Sequence, residues 1–166
     1  MKRSILLALL GCSSFSACAA GMEGMFGQGR THFLLEVGNG YAFNNNYLIL
    51  GAGVNYYVLN GLGVGLSYEN WSGSGPGINK ISPSVQYVFY QASSIKPYVG
   101  MFYRHATVSG LAAINSAGAR AGVYIASGSH SAIGIGFVQE SYLNCQTAVY
   151  ARCSESYPEI SFTFGF

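Results

Sequence analysis

The ten residues Tyr157-Pro158-Glu159-Ile160-Ser161-Phe162-Thr163-Phe164-Gly165-Phe166 carry the pattern that decides the fold. Successive side chains of an extended strand point to opposite faces. One face of this strand is wholly apolar and holds Ile160, Phe162, Phe164 and Phe166. The other holds Glu159, Ser161, Thr163 and Gly165. This alternation is typical of a barrel strand that turns its apolar face to lipid and its polar face to the lumen.

The composition favours membrane-spanning strands over membrane-spanning helices. Only 8% of the residues are charged, although 50% are apolar, whereas ordinary globular domains carry about 25% charged residues. Beyond residue 20, no run approaches the roughly 20 apolar residues of a transmembrane helix. The alternative, a water-soluble all-β domain, would carry more charges on its outside.

Residues 1–20 are predicted to be a cleaved signal peptide. Lys2 and Arg3 precede an apolar run and then small residues, with an A-x-A site at Ala17-Cys18-Ala19. A lipoprotein remains an alternative, because the sequence before Cys12 loosely resembles a lipobox. Residues 21–166 then form the barrel domain, whose six Lys/Arg and six Glu balance. This balance gives no reason to expect nucleic-acid binding.

Eight alternating segments of about 9–12 residues follow a Gly/Met-rich lead at 21–30, each long enough to cross a bilayer when tilted. They are predicted at 32–41, 47–58, 62–71, 80–91, 97–106, 116–126, 131–142 and 157–166. In each segment the apolar face is assigned to lipid. Pro83 falls on the lipid face of the fourth segment, where its missing N–H could produce a bulge.

Short and long connections alternate along the chain. Asn60-Gly61 suggests a two-residue type I′ turn, but that turn would pair Leu59 with Leu62 and mix the two faces. We expect a three-residue loop with Gly61 in the left-handed conformation, which pairs Val58 with Leu62. Further short turns are predicted near 93–94 and 127–129, and longer segments at 42–46, 72–79, 107–115 and 143–156. Short turns of such barrels face the periplasm and longer loops face outside.

An even number of strands can close into a barrel that satisfies every backbone group in lipid. The chain therefore resembles the small eight-stranded bacterial outer-membrane β-barrels of the OmpA/OmpX-like class, which are all-β, closed, antiparallel and up-and-down. The resemblance implies a monomer in the outer membrane, without a cofactor, in contact with outer-membrane lipid and lipopolysaccharide. It also implies insertion by the barrel assembly machinery. The terminal aromatic residue resembles the assembly signal of such proteins, which we assign to Phe162, Phe164 and Phe166.

Charged residues on the predicted lumen face could plug the barrel. An unpaired charge in a narrow lumen costs several kcal/mol, so we expect them to pair in an ionic cluster with a structural role. Arg120 should contact Glu140 or Glu36, and Arg104 should form ion pairs with the remaining carboxylates. The alternative is a narrow channel for small polar solutes. The cluster comprises Glu36, Glu69, Lys80, Arg104, Arg120, Glu140 and Glu159.

An enzyme is the alternative from another class. Outer-membrane enzymes that modify lipid A use Ser and His with an acid, and such a triad must be mutually in reach. The histidines are His32, His105 and His130, and no Ser-His-acid trio falls on one face at one level. The chain contains no aspartate. We therefore assign no catalytic residue and interpret the histidines as polar residues of the rims or the interface.

Cys145 and Cys153 are the cysteines outside the signal peptide. An even pair in an exported chain predicts a disulfide. A metal site is the alternative, but no histidine and only one glutamate lie nearby, so no metal is expected.

The aromatic residues are interpreted as two belts at the membrane–water interfaces, where amphipathic rings are favoured. The outer belt is assigned to Tyr41, Tyr47, Tyr68, Trp71, Tyr103, Tyr142 and Tyr157. The inner belt is assigned to Phe33, Tyr56, Phe89, Tyr98, Phe164 and Phe166.

Overall fold

The computed structural model describes residues 24–166 except 43, 93, 144 and 146–152. The predicted signal peptide lies outside the described residues. Eight strands form one antiparallel sheet that follows the sequence order and closes β1 onto β8, which confirms the predicted eight-stranded barrel. The strands are β1 (Thr31–Ala42), β2 (Asn45–Leu59), β3 (Leu62–Gly73), β4 (Ile78–Val88), β5 (Ile95–Val108), β6 (Ile114–Ala126), β7 (Ser131–Tyr142) and β8 (Ser154–Gly165).

The period-2 alternation determines which side chains face outward, as predicted. Met101 and Phe102 are neighbours on β5, yet their exposed fractions are 68% and 4%. Apolar residues such as Leu35, Leu66 and Ile160 are exposed on the outside of the barrel. No described helix is long and apolar enough to cross a membrane. The exposed apolar side chains therefore form a continuous belt around a barrel whose other face is buried.

The turn between β2 and β3 differs in detail from the prediction. Leu59 pairs with Leu62 across Asn60-Gly61, and the register shifts between Tyr57 and Leu59. The predicted pairing of Val58 with Leu62 is therefore wrong. The irregularity at this point absorbs one residue, so Tyr57 still pairs with Gly63 and the two faces stay separate. Gly61 has a φ of 78°, the left-handed conformation that glycine adopts without strain.

Pro83 does not introduce the bulge that its position suggested. It pairs with Leu66 of β3 without a register shift. On the other side of β4, Ile81 pairs with His105 and Ser84 with Phe102, so the register is the same before and after the proline. The missing N–H interrupts the ladder locally and leaves the strand alignment intact.

The lead before β1 folds back under the barrel. The N–H of Gly29 donates to the carbonyl of Tyr57 over 2.8 Å, and the N–H of Tyr57 donates to the carbonyl of Arg30 over 2.9 Å. The N–H of Gly61 donates to the carbonyl of Phe26 over 2.8 Å. These bonds hold the lead against the β2–β3 turn, where the Phe26 side chain is fully buried.

The junction of β1 and β8 is closed over only part of its length. The paired positions run from His32 with Gly165 to Glu36 with Ser161. Residues 37–42 of β1 pair with β2, and residues 154–160 of β8 pair with β7, but the two segments do not pair with each other. Pro158 lies in this part of β8 and lacks a backbone donor. We call these two unpaired segments the open seam.

Candidate functional site

Arg104 is the centre of a buried ionic network in the lumen. Its Nη2 donates to Glu69 Oε1 and its Nη1 to Glu140 Oε2, both over 2.7 Å. Nη1 also donates to the Tyr157 hydroxyl over 2.8 Å, and Nε donates to Ser82 Oγ over 3.0 Å. We call Glu69, Ser82, Arg104, Glu140 and Tyr157 the ionic layer. Arg104 is 4% exposed, so its charge is balanced within the protein rather than by bulk water.

The strand order explains how these residues meet. Arg104 lies on β5, and its two carboxylate partners lie on β3 and β7, two strands away on either side. All three project into a lumen that, with eight strands, is only wide enough for side chains. The carboxylates have further donors as well. Trp71 Nε1 donates to Glu69 Oε2 over 3.0 Å, and Ser116 and Tyr157 both donate to Glu140.

Arg120 forms a second, weaker pair. Its Nη1 lies 3.4 Å from Glu159 Oε2, so the expected contact with Glu140 or Glu36 is wrong. Glu140 lies opposite Gly118, one inward-facing position nearer the outer end than Arg120. At that level Arg104 and Ser116 already hold the carboxylate. Arg120 therefore pairs with a carboxylate deeper in the lumen.

Glu36 and Lys80 also lie on the lumen side, but neither forms an ion pair with a residue that the structure describes. Lys80 Nζ lies 3.7 Å from the centre of the Trp71 ring, a cation–π contact. The structure thus brings five of the seven predicted lumen charges into ion pairs, in two separate groups.

A layer of aromatic rings closes the inner end of the lumen. The Phe26 ring lies 5.3 Å from those of His32 and Tyr124 and 5.6 Å from that of Tyr57. His32 Nε2 donates to the Met25 carbonyl over 2.6 Å, and Gln86 Nε2 donates to the Tyr57 hydroxyl over 2.8 Å. We call Phe26, His32, Tyr57, Tyr98 and Tyr124 the aromatic layer.

The sequence interpretation missed this layer, because the lead that supplies Phe26 has no alternating pattern. It also placed several aromatic residues incorrectly. The expectation that His32 is a rim residue is wrong, since its side chain is fully buried. The interfacial belts are wrong for five residues whose side chains turn inward. The parity of their positions within the strands could have shown this, and they are Tyr47, Trp71, Tyr98, Tyr142 and Tyr157.

Between the two layers the lumen is almost filled. A cavity of about 10 Å³ lies among Asn55, Gln86 and Arg120, which is room for roughly one water molecule. On the outer side of the ionic layer, a larger cavity of about 580 Å³ opens. We call it the outer vestibule. It is lined by Glu36, Val37, Gly38, Asn39, Gly40, Ile49, Glu69, Trp71, Lys80, Arg104, Glu140 and residues 154–160.

The remaining candidate groups lie apart from the lumen network. His105 Nδ1 lies 2.7 Å from Asn115 Oδ1, and His130 Nδ1 lies 2.8 Å from Ser129 Oγ. Within the described residues, no histidine is hydrogen-bonded to a carboxylate, and no three metal-ligating side chains cluster. Cys145 and Cys153 form the predicted disulfide, with their Cα atoms 5.6 Å apart.

The fold is that of the eight-stranded outer-membrane β-barrels. The N-terminal β-barrel domain of Pseudomonas aeruginosa OprF superimposes with a TM-score of 0.66 at 16% identity, covering 84% of this chain and 99% of that one. Neisserial surface protein A superimposes with a TM-score of 0.55 at 16% identity, covering 82% of this chain and 94% of that one. The outer membrane protein OprG of P. aeruginosa superimposes with a TM-score of 0.51 at 11% identity, covering 84% of this chain and 97% of that one. No known family profile and no curated protein sequence matches the chain. These similarities show the fold.

Proposed function

We propose that this protein is a monomeric bacterial outer-membrane barrel that does not conduct and has a structural or surface-interaction role. The observation that carries this proposal is the double closure of the lumen. The ionic layer fills it at one level and the aromatic layer at another, with a cavity of about 10 Å³ between them. A continuous water path for small polar solutes would have to displace both layers.

The energetics of the ionic layer support a structural role. Arg104 holds two carboxylates and two hydroxyls at distances of 2.7 to 3.0 Å. Removing one partner of a buried ion pair leaves an uncompensated charge, which costs about 3–5 kcal/mol. Moving Arg104 aside to open a pore would break the same contacts. The resting lumen therefore favours the closed arrangement.

The outer surface supports the expected location and partners. The exposed apolar belt fits contact with outer-membrane lipid and lipopolysaccharide. We propose that Phe162, Phe164 and Phe166 are recognised by the barrel assembly machinery, since all three are exposed, the first two on the outward face of β8 and Phe166 directly after its last residue. No nucleic acid and no cofactor is part of this proposal.

Planar-bilayer recording of the purified protein tests the closed lumen. We expect no steady conductance from the wild type, since both layers must open together. Phe26→Ala combined with Arg104→Ala removes the centre of each layer and should produce measurable conductance. Steady wild-type conductance that changes in Arg104→Ala would refute the proposal and support the channel instead.

An unchanged lipid A acyl pattern in cells that overproduce the protein is expected if it is not a lipid A-modifying enzyme.

A further inference from the structure

The outer vestibule and the open seam meet at Glu36. Glu36 and Ser161 are the last pair in the closed part of the β1–β8 junction. Immediately beyond them, Val37 and Ile160 would pair if the register continued, but they do not. Both line the vestibule, although their side chains are on the lipid-facing side of the strands. The cavity therefore reaches from the charged lumen to the apolar belt.

Glu36 is the carboxylate without a partner at this junction. Glu69, Glu140 and Glu159 all receive hydrogen bonds from arginine. Within the described part of the chain, Glu36 has neither a hydrogen bond nor an ion pair. A half-buried carboxylate without a partner is costly, and a cation placed beside it would lower that cost.

The charge around the cavity favours the same kind of ligand. Glu36, Glu69, Glu140, Glu155 and Glu159 line the outer vestibule, against the two cations Lys80 and Arg104. Arg120, which reaches Glu159 from the inner side, raises the cations to three against five carboxylates. An additional positive charge is therefore favoured, and an anion is disfavoured.

The apolar part of the cavity lining indicates a second property of the ligand, an apolar chain. Ile49 and Trp71 lie on the lumen side of the cavity, and Val37 and Ile160 lie at the seam. Unpaired backbone at membrane depth is tolerated where it is covered or lines a watery cavity. An apolar chain lying between the two strand segments would contact Val37 and Ile160 without leaving the apolar belt.

We propose that the outer vestibule binds an amphipathic organic cation, with its ammonium group against Glu36 and its apolar chain in the open seam. The volume of about 580 Å³ lies within the usual range of roughly 300–1,000 Å³ for small-molecule sites. The site adds a binding activity to the structural role, and it does not depend on whether the lumen conducts.

Trp71 makes the site directly observable, because it is the single tryptophan of the chain and it lines the cavity. The folded full chain in lipid nanodiscs is titrated with ω-bromoundecylammonium, whose bromine quenches tryptophan fluorescence. The titration is run at mildly alkaline pH, above the ordinary pKa of carboxylic acids and below that of primary amines. We expect saturable quenching at a concentration at least about tenfold lower than for ω-bromoundecanol. Equal quenching by the two probes would overturn the proposal.

Two variants and a shorter probe test the parts of the site separately. Glu36→Gln keeps the side-chain size and should abolish the preference for the ammonium probe over the alcohol. A β-carbon on Gly38 would meet open space in the vestibule, so Gly38→Phe should block both long probes while the barrel still folds. Gly24→Phe, also into open space but at the other end of the molecule, is the matched control and should bind normally. The proposal fails if Glu36→Gln retains the preference, or if ω-bromopropylammonium binds as tightly as the long-chain probe.

Discussion

Replacing Arg104 with methionine should be the most destabilising single change among the charged residues of the lumen. Arg104 makes four hydrogen bonds, of which two are ion pairs of 2.7 Å to Glu69 and Glu140. Methionine keeps an apolar stem but leaves both carboxylates without a cation. Breaking a buried ion pair in this way costs about 3–5 kcal/mol. We expect the loss in the free energy of unfolding to stay in that range, although two ion pairs are broken. The two carboxylates keep other donors, since Trp71 still donates to Glu69, and Ser116 and Tyr157 still donate to Glu140.

Arg120→Met is the matched comparison. Arg120 has one carboxylate contact, at 3.4 Å, so its removal should cost about 1.5–3 kcal/mol, the range for a hydrogen bond to a charged group. The free energy of unfolding is measured by urea titration in lipid vesicles, with Trp71 fluorescence and gel mobility as the readouts. Arg104→Met costing no more than Arg120→Met would refute the reasoning.

Neutralising the two carboxylates that Arg104→Met leaves without a cation distinguishes the effect of charge on stability from the effect of packing. Adding Glu69→Gln and Glu140→Gln to Arg104→Met leaves polar groups of similar size but no uncompensated charge. The triple variant should therefore be more stable than Arg104→Met alone, which is a non-additive coupling of the kind that contacting residues show. A triple variant less stable than the single one would show that packing, and not charge, determines the loss.

Three further outcomes are expected. Phe166→Glu should lower the yield of heat-modifiable barrel, because it places a charge on the apolar belt where Phe166 packs 5.6 Å from the Phe33 ring; a normal yield would contradict the proposed assembly role. Cys145→Ser with Cys153→Ser should still give a folded barrel. Its connecting loop should be cut faster by added protease, because the disulfide removes about 2.5 kcal/mol of loop freedom from the unfolded chain; equal cleavage rates would argue against this. Phe26→Ala alone should destabilise the barrel by about 3–5 kcal/mol, the usual cost of emptying a buried phenylalanine site, as seen in the same urea titration; an unchanged midpoint would show that the aromatic layer is not packed as described.

Local pattern was sufficient to predict the strands and their faces. Alternation at period two depends only on the geometry of a single strand, so the lipid-facing set around Leu35, Leu66 and Ile160 could be predicted without knowing which strands are neighbours. The disulfide followed from counting the cysteines that remain after the predicted export signal. The same parity argument, applied strictly, would also have placed Trp71 and Tyr157 inside the barrel.

What the sequence by itself determined was the identity of the elements: eight strands, their apolar faces, and a lumen that collects the charges. Which charges meet there was decided by closure. The tilt and stagger of the closed sheet set the height of each inward side chain, so Arg104 meets carboxylates from β3 and β7, while Arg120 reaches Glu159 and not Glu140. The insertion of Phe26 and the unpaired half of the β1–β8 junction were likewise decided by the tertiary structure. Both depend on contacts between segments that are distant in the chain, and no periodicity within either segment encodes such contacts.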